Sequence, residues 1–317
     1  MIVITEQQVA AFADYPSLIA AMEAVFIACA KQDVDNYPFV RSFLRGTQNL
    51  FGVKSGCNYT TGDLGLKCGG YWQDNARREL DAHQSTVLLL DAATGQPRAL
   101  VAGNTLTALR TAAAAAAAAR WLARGDAGDV AVLGAGRQAL FQIKALCEVR
   151  PIRSVTVWSR SRARAEALGG QVRKIDLSYK IAETPREAVR GADIIVTVTP
   201  SNAPLIGLAD VSPGVHINAM GSDTQGKREL ASDLLDAGRI WADDVKQASL
   251  IGECQHLSST ANVRSIGELL IQRDGFVRSE GDITIFDGTG IALQDLAAAS
   301  QIVSAVVERD CAQVISL

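Results

Sequence analysis

The chain has 317 residues, a length that leaves room for two domains at roughly 100 to 200 residues per domain. Hydrophobic residues make up 48% of it and charged residues 21%, which excludes a largely disordered chain and indicates a buried core of ordinary size. The formal net charge of −3 argues against a nucleic-acid-binding protein that relies on a broad basic face.

Cysteines and apolar runs indicate the compartment. The six cysteines are scattered and form no CxxC pair, which favours reduced thiols in the cytosol. No secretory signal is seen, and the longest apolar run, residues 112–119, has eight alanines where a bilayer needs roughly 20 apolar residues. We therefore expect a cytoplasmic protein that binds neither nucleic acid nor membrane. The three dispersed histidines predict no metal site.

The first third of the chain mixes helices with short strands. Residues 16–31 place apolar side chains at helical spacing, and residues 105–123 are rich in alanine, the best helix former. Between them, short apolar runs separated by Gly, Asn and Asp predict antiparallel strands at 49–53, 64–67 and 86–90.

From residue 129 the pattern becomes an alternation of strands and helices. An apolar strand that ends in glycine, a helix over 137–149, a strand over 154–158 and a helix over 163–172 form a βαβ unit. Further strands are predicted at 194–199, 216–219 and 239–242. Residues from about 120 to 290 thus predict a doubly wound parallel sheet, followed by a last helix over 290–309.

The turn after the first strand of this sheet carries a dinucleotide-binding fingerprint. Residues 134–139 read GAGRQA and match GxGxx(G/A) between a strand and a helix. Gly134 permits the tight turn, Gly136 leaves room for the pyrophosphate, and the helix N-terminus attracts the phosphates. We therefore assign these residues to the cofactor: Gly134, Ala135, Gly136, Arg137 and Gln138. Thr197 and Thr199 are added from topology alone.

The second strand lacks the acidic residue that holds the ribose hydroxyls of NAD(H). Ser159, Arg160 and Arg162 stand there instead, and serine and arginine suit a 2′-phosphate. NADP(H) is therefore favoured over NAD(H), although a solvated helix start would have the same composition.

Two further blocks resemble the ornithine cyclodeaminase and μ-crystallin family. The first, T-A-x-R-T-A, covers residues 107–112, and the second, G-x-D-x-x-G-K-x-E-L, covers residues 221–230. With the GLK at 65–67 and the fingerprint, the resemblance spans nearly the whole chain. Thr111, in the first block, is also assigned to the cofactor site.

The resemblance implies a fold and an assembly. It implies an α/β protein with a Rossmann doubly wound parallel sheet plus an α+β substrate-binding domain that forms a homodimer. We place the Rossmann domain at residues 119–294, and the substrate-binding domain at residues 1–118 and 295–317, so that the last helix returns to the first domain.

The resemblance also implies site residues, because family members move a hydride between a nicotinamide and the Cα of an amino or imino acid. By the family pattern Lys67 and Asp223 are catalytic, while Arg41 and Arg110 bind the substrate carboxylate. The sequence itself favours only Arg110, since an unpaired charge among apolar residues would be costly without a bound anion. Asp223 is equally typical of a turn, and Arg41 of a protein surface.

Four short segments look most like the iminosuccinate reductase branch, whose substrate is a dicarboxylate: residues 53–56, 71–72, 83–86 and 253–256. A second carboxylate needs a second cation, for which Lys54, His83 and Arg45 are candidates. An exposed loop lysine and a structural histidine remain the alternatives for Lys54 and His83. A thiolate nucleophile at Cys254 is disfavoured, because the family needs none.

The leading prediction is an NAD(P)H-dependent reductase of a small α-imino acid, with iminosuccinate, giving aspartate, as the specific candidate. The enzymatic alternatives are an ornithine cyclodeaminase-type lyase that recycles its NAD⁺, and an alanine dehydrogenase. The non-enzymatic alternative is a μ-crystallin-like protein that binds NADPH or another small ligand.

Overall fold

The chain divides into two units, and the first of the two boundaries between them falls within one long helix. The structure is a computed structural model, and it describes residues 1–272 and 276–316. Unit 1 comprises Met1–Arg110 and Ile291–Leu317, and unit 2 comprises Thr111–Gly290. The domain limits predicted from the sequence, after residues 118 and 294, lie near these two boundaries.

Helices and strands follow one another in this order. The chain up to the boundary helix contains β1 (Ile2–Ile4), α1 (Glu6–Phe12), α2 (Tyr15–Ala30), β2 (Val34–Asn36), β3 (Val40–Phe43), β4 (Leu50–Asn58), β5 (Asp63–Tyr71), β6 (His83–Asp91), β7 (Pro97–Ala102) and α3 (Gly103–Leu122). The βαβ region continues with β8 (Asp129–Leu133), α4 (Arg137–Cys147), β9 (Ser154–Trp158), α5 (Arg162–Val172), β10 (Ser178–Ile181), α6 (Pro185–Val189), β11 (Ile194–Thr197), β12 (Asn202–Ile206) and β13 (His216–Ala219). The remaining elements are β14 (Arg228–Leu230), α7 (Ser232–Ala237), β15 (Arg239–Ala242), α8 (Val245–Ile251), β16 (Arg264–Ser265), α9 (Ile266–Ile271), β17 (Thr284–Asp287), α10 (Ala292–Glu308) and β18 (Gln313–Val314).

Unit 1 is built on a mixed sheet with the order β18-β1-β7-β6-β5-β4-β2, in which β3 also pairs with β4. Among the described strand pairs of this sheet, β1 and β7 run parallel and the other pairs are antiparallel. Helix α10 packs on β5, β4 and α2, so the last helix joins the first unit. The apolar face predicted for α2 is buried there, including Leu18, Ile19 and Met22.

Unit 2 contains an eight-stranded parallel sheet with the order β10-β9-β8-β11-β13-β17-β15-β16. The chain runs outward from β8 through β9 to β10 and then resumes at β11 on the other side of β8. The carboxyl ends of β8 and β11 therefore meet at a topological switch point, where doubly wound sheets bind their ligands. The predicted Rossmann fold is confirmed.

Helices cover both faces of this sheet, which explains why its strands are apolar throughout. On β8, Val130 and Val132 pack with α4 and α5, while Ala131 and Leu133 pack with α6 and α7. A strand that is buried on both faces shows no alternation of apolar and polar residues.

The alanine run predicted as helical lies within α3, and all eight of its residues are buried. Within the described ranges, no single helix is long and apolar enough to cross a membrane, and α1 and α2, bent by 95°, pass that test only as a pair.

Candidate active site

The fingerprint forms a cradle in front of helix α4. Gly134 has φ +117°, and a Cβ there would lie 2.8 Å from the carbonyl oxygen of Val198, so the tight turn requires glycine. Gly136 is the N-cap of α4 and makes no side-chain cap. A Cβ at Gly136 would meet open space, so any larger side chain would fill the cradle. The N-terminus of α4, with its positive dipole end, can thus attract an anion, as a pyrophosphate requires.

A cavity of about 210 Å³ continues from this cradle along the carboxyl ends of β9 and β11. The residues that line it include these predicted cofactor residues: Gly134, Ala135, Gly136, Ser159, Arg160 and Thr199. Five others do not line it, and one of them, Arg162, is described below. Arg137 and Gln138 lie on the first turn of α4, Thr197 is fully buried at the end of β11, and Thr111 is buried on α3.

The arginines of the basic segment after β9 differ in their surroundings. Arg160 and Arg164 line the cavity, but Arg162 forms ion pairs with Glu166 at 3.2 Å and Glu183 at 2.7 Å. Ser161, between them, accepts a hydrogen bond from the backbone of Arg164 and caps α5. Arg160 is therefore a better candidate than Arg162 for contact with a 2′-phosphate.

In unit 1, strand register collects the predicted substrate cations on one face of the sheet. Lys54 on β4 lies directly opposite Lys67 on β5, and Arg41 on β3 lies opposite Gly52, two residues before Lys54. Directly opposed residues share a face, and so do residues two apart on one strand. Lys54 and Arg41 also contact the ring of Phe39, at 4.8 Å and 5.5 Å from its centroid. Lys54 is thus a half-buried strand residue, and its alternative interpretation as an exposed loop lysine is wrong.

A buried carboxylate that the sequence analysis missed holds two of these cations together. Asp295 on α10 lies 2.8 Å from Lys67 Nζ and 2.9 Å from Arg110 Nε, and it is fully buried. Arg110 also donates to the side-chain oxygen of Gln294 at 2.8 Å. The argument that Arg110 needs a bound anion because it is unpaired is therefore wrong, since Asp295 supplies a countercharge. A charged residue within the apolar run of α10 is the sequence signal that could have identified it.

Burial and the charges of this cluster set the pKa of Lys67. Burial lowers the pKa of Lys67 to about 7, Asp295 opposes that shift, and the like charges of Arg110 and Lys54 add to it. Burial would raise the pKa of Asp295, but Arg110 and Lys67 hold it below its ordinary value. The cluster therefore contains an ionised carboxylate beside an ammonium group that loses its proton near neutral pH.

His83 lies on the same sheet face but further away. It begins β6, and Val87, the residue opposite Lys67, follows four positions later on that strand. Four residues of strand span about 13 Å, so His83 is not among the immediate neighbours of Lys67.

In unit 2, Asp223 follows strand β13 at the carboxyl edge of the parallel sheet. Its Oδ1 accepts hydrogen bonds from Lys227 Nζ at 2.6 Å and from the hydroxyl of Thr224 at 3.0 Å. The Asp223 side chain keeps 45% of its surface exposed, so it remains accessible to a ligand. Lys227, four residues later in the same block, was not singled out by the sequence analysis.

The other two histidines and Cys254 are held in structural contacts. His216 is buried between Thr284 and Asn218, and burial lowers its pKa to about 3. His256 donates to the backbone of Lys227 at 2.8 Å. Burial raises the pKa of the Cys254 thiol, as does the charge of Asp287, which makes a nucleophilic thiolate unfavourable. In residues 1–272 and 276–316, no group of three or more His, Cys, Asp or Glu side chains has the arrangement of a metal site.

Comparisons with known proteins bear on this arrangement. The family model of the ornithine cyclodeaminase/mu-crystallin family matches residues 2–310. The iminosuccinate reductase of Paracoccus denitrificans is 38% identical and is aligned over 100% of both chains. The ketimine reductase mu-crystallin of Rattus norvegicus is 30% identical over 80% of this chain and 79% of its own.

Solved structures show the same fold. The crystal structure of the Paracoccus denitrificans iminosuccinate reductase in complex with NAD⁺ superposes with a TM-score of 0.93, covering 100% of this chain and 99% of that one at 37% identity. An archaeal alanine dehydrogenase, described as a dimer with bound NAD, gives a TM-score of 0.93 with the same coverage at 28% identity.

Proposed function

Because the chain belongs to the ornithine cyclodeaminase/mu-crystallin family, we propose that it reduces iminosuccinate, a dicarboxylic α-imino acid, to aspartate with a nicotinamide cofactor. At the coarser level the sequence-based prediction is confirmed: the protein is a nicotinamide-dependent reductase of small imino acids. The solved relatives hold NAD, so preference for NADP(H) stays a prediction.

The observation that carries the choice of a dicarboxylate is the clustering of cations on one sheet face of unit 1. Arg110 and Lys67 share Asp295, and Lys54 lies directly opposite Lys67 with Arg41 beside it. The like charges of Arg110 and Lys54 lower the pKa of Lys67, so these cations repel one another. Two carboxylates on one substrate would relieve that repulsion better than one.

The roles of the residues follow from their chemistry. A nicotinamide cofactor, held at the fingerprint turn by Gly134 and Gly136, would supply hydride chemistry at the imine carbon. Arg110 and Arg41 bind carboxylate oxygens through guanidinium N–H groups, and Lys54 neutralises the distal carboxylate. Lys67, with a pKa of about 7, donates a hydrogen bond or a proton at neutral pH. Asp223 accepts from the protonated nitrogen and thereby stabilises the iminium form of the substrate.

A homodimer is part of the proposal. One relative is described as a dimer, and the unit 1 sheet of this chain exposes Val40 and Phe51 on the face opposite to the cations. Exposed apolar residues on a sheet face are typical of protein–protein contacts, so a second copy of the chain is the proposed occupant.

The decisive experiment measures NADH and NADPH oxidation with three substrate mixtures. Oxaloacetate plus ammonia equilibrates with iminosuccinate, and it is compared with pyruvate plus ammonia and with pyrroline-2-carboxylate. We expect the highest kcat/KM with the dicarboxylate, and aspartate as the product. Faster turnover of pyruvate would indicate an alanine dehydrogenase, and ammonia release from L-ornithine without net cofactor change would indicate a cyclodeaminase. NADH binding without any turnover would indicate a binding protein.

A separate variant tests whether the substrate is a dicarboxylate. Lys54→Met is expected to lower kcat/KM for iminosuccinate by about 10- to 100-fold, the worth of one charge-assisted hydrogen bond, and to change the rate with pyruvate much less. Lys31→Met, at an exposed lysine of the same unit, is the matched control and is expected to leave both rates unchanged. Equal losses on both substrates in Lys54→Met would remove Lys54 from the distal site.

A further inference from the structure

Glu229 is a fully buried carboxylate that joins two loops of unit 2. The first, residues 198–201, is called the cofactor loop here because all four of its residues line the cofactor cavity. The second, residues 221–227, is called the Asp223 loop. Glu229 Oε1 accepts from the backbone N–H and the hydroxyl of Thr199, both at 2.7 Å, and Oε2 accepts from the N–H of Gly221 at 3.0 Å.

The two loops touch directly where Glu229 bridges them. A Cβ on Gly221 would lie 2.4 Å from Glu229 Oε2 and 2.5 Å from the carbonyl oxygen of Thr199, so only glycine fits there. On its other side, Thr199 abuts the fingerprint, since a Cβ on Gly134 would lie 3.2 Å from its methyl group. A contiguous set of contacts therefore runs from the fingerprint turn through Thr199 and Glu229 to Gly221, two residues before Asp223.

A segment that the sequence analysis singled out anchors the other end of this arrangement. Glu253, at the start of a 3-10 helix, accepts from the backbone N–H groups of Glu229 at 2.7 Å and Leu230 at 3.2 Å. Gln255 accepts from the N–H of Gly226 at 2.8 Å and donates to the carbonyl of Lys227 at 3.3 Å. Glu253 thus holds strand β14 at Glu229, and Gln255 holds the Asp223 loop.

Replacing the Glu229 carboxylate by an amide would remove one hydrogen-bond acceptor from a buried site. Burial raises the pKa of Glu229, and the hydroxyls and N–H groups that donate to it oppose that rise. An amide in its place has one acceptor oxygen, so either Thr199 or Gly221 would face an N–H donor. A buried N–H without an acceptor is unfavourable, so the loop that carries it would move away.

We propose that Glu229 is a positioning residue that couples the cofactor loop to the Asp223 loop, and that Gln255 fixes the Asp223 loop from the other side. The kinetic part of this inference rests on the proposed function, but the cofactor-binding part does not. Glu229 would thereby set where the acid that handles the substrate nitrogen lies relative to the bound cofactor.

The test is a double-mutant cycle on NADH affinity, measured by fluorescence titration. We expect Glu229→Gln to raise the Kd for NADH by about tenfold and to lower kcat by a similar factor. Thr199→Val removes one donor and is expected to raise Kd several-fold. In the double variant the two effects are expected not to add, because both act on the same contact.

Asp193→Asn is the matched control for loss of a carboxylate that holds a loop. Asp193 accepts from the N–H groups of Gly128 at 2.8 Å and Asp129 at 3.0 Å, where strand β8 begins, at the opposite edge of the sheet. This variant is expected to lower Tm without changing the Kd for NADH. If Glu229→Gln lowers Tm to the same extent but leaves Kd and kcat within about twofold, or if its effect adds to that of Thr199→Val, the coupling is overturned.

Gln255→Ala tests the second part of the proposal, that Gln255 fixes the Asp223 loop. The fold should tolerate the loss of this side chain better than the loss of the buried Glu229. We expect a fall in kcat of about fivefold with an unchanged Kd for NADH, because this residue holds only the Asp223 loop. An unchanged kcat would overturn that half of the proposal. If no imino acid is reduced at all, the proposed function fails, whereas the NADH titrations still decide whether Glu229 and Thr199 are coupled.

Discussion

Lys67 shows how single residues of this chain are tuned by neighbours that are distant in sequence. Its ammonium group is buried next to Asp295, on a helix more than two hundred residues later, and that carboxylate also binds Arg110. A buried ion pair repays its desolvation only with good geometry, and removing one partner is costly. The arrangement keeps a lysine with a pKa of about 7 inside the protein, where an isolated lysine would lose its proton even more readily.

The pH dependence of turnover should report this tuning. If protonated Lys67 is the active form, kcat/KM is constant at low pH and falls as pH rises through about 7. Asp295→Asn removes the attraction that favours the ammonium form, so the fall moves to lower pH. Lys54→Met removes a repulsion and moves it to higher pH. Profiles of kcat/KM against pH for the three proteins check this, and shifts in the same direction for both variants would contradict it.

Cofactor preference is a second property decided by single side chains. Arg160 lines the cavity, whereas Arg162 is held by two glutamates. We expect Arg160→Ala to raise the KM for NADPH by about 10-fold or more while changing the KM for NADH little, because only the former has a 2′-phosphate. Arg162→Ala is the matched control and is expected to change neither. An equal effect of Arg160→Ala on both cofactors would show that Arg160 does not recognise the phosphate.

The role of a single residue could be predicted from the sequence where the groups that it contacts lie close by in the chain. The fingerprint glycines act within one turn, and their roles follow from the residues themselves. Asp295 and Glu229 act through partners on other elements, and their chemistry depends on burial and on strand register. The family pattern supplied Lys67 and Arg110, but it gave no account of what compensates their charge.

The turn from β8 to α4 requires a particular residue type, glycine, at position 134. Gly134→Ala would meet both a positive φ and the Val198 carbonyl, whereas Gly191→Ala would meet a positive φ of 73° in open space. We expect both variants to lose about 1 kcal/mol of unfolding free energy from the backbone. Only Gly134→Ala should also weaken NADH binding, by about 10-fold or more, because its turn shapes the cradle. Titration and thermal unfolding of both variants separate the two effects, and equal NADH affinities would contradict the role of the turn.

Regular elements were predictable where local signals were strong. The strands at 154–158, 216–219 and 239–242 have the predicted bounds, and the long helices begin and end within a few residues of them. Short strands such as β1 and β10 were missed, because three or four residues carry too little periodicity. The strand predicted over 194–199 ends at Thr197, since the chain then turns past Gly134 and Thr199 binds Glu229.

At the scale of the whole molecule, the chain keeps its two chemistries in separate units. The cations that suit carboxylates lie in unit 1, and the fingerprint and Asp223 lie in unit 2. The net charge of −3 gave no hint of this, because it averages clustered cations with carboxylates spread elsewhere. The discontinuous unit was predicted chiefly through the family resemblance, because local signals do not show that α10 packs against a strand far earlier in the chain.

The exposed face of the unit 1 sheet is where we expect two copies of the chain to associate. Val40 is 68% exposed and Phe51 41% exposed, and both lie on the sheet face opposite to Lys54. If a second copy covers this face, the double variant Val40→Asp and Phe51→Asp places two charges in a desolvated contact and should convert a dimer into monomers. Leu250→Asp, at a residue of unit 2 that is also 68% exposed, is the matched control and should leave the mass unchanged. Light scattering after size-exclusion chromatography measures the mass, and a dimer that survives the double variant would place the interface elsewhere.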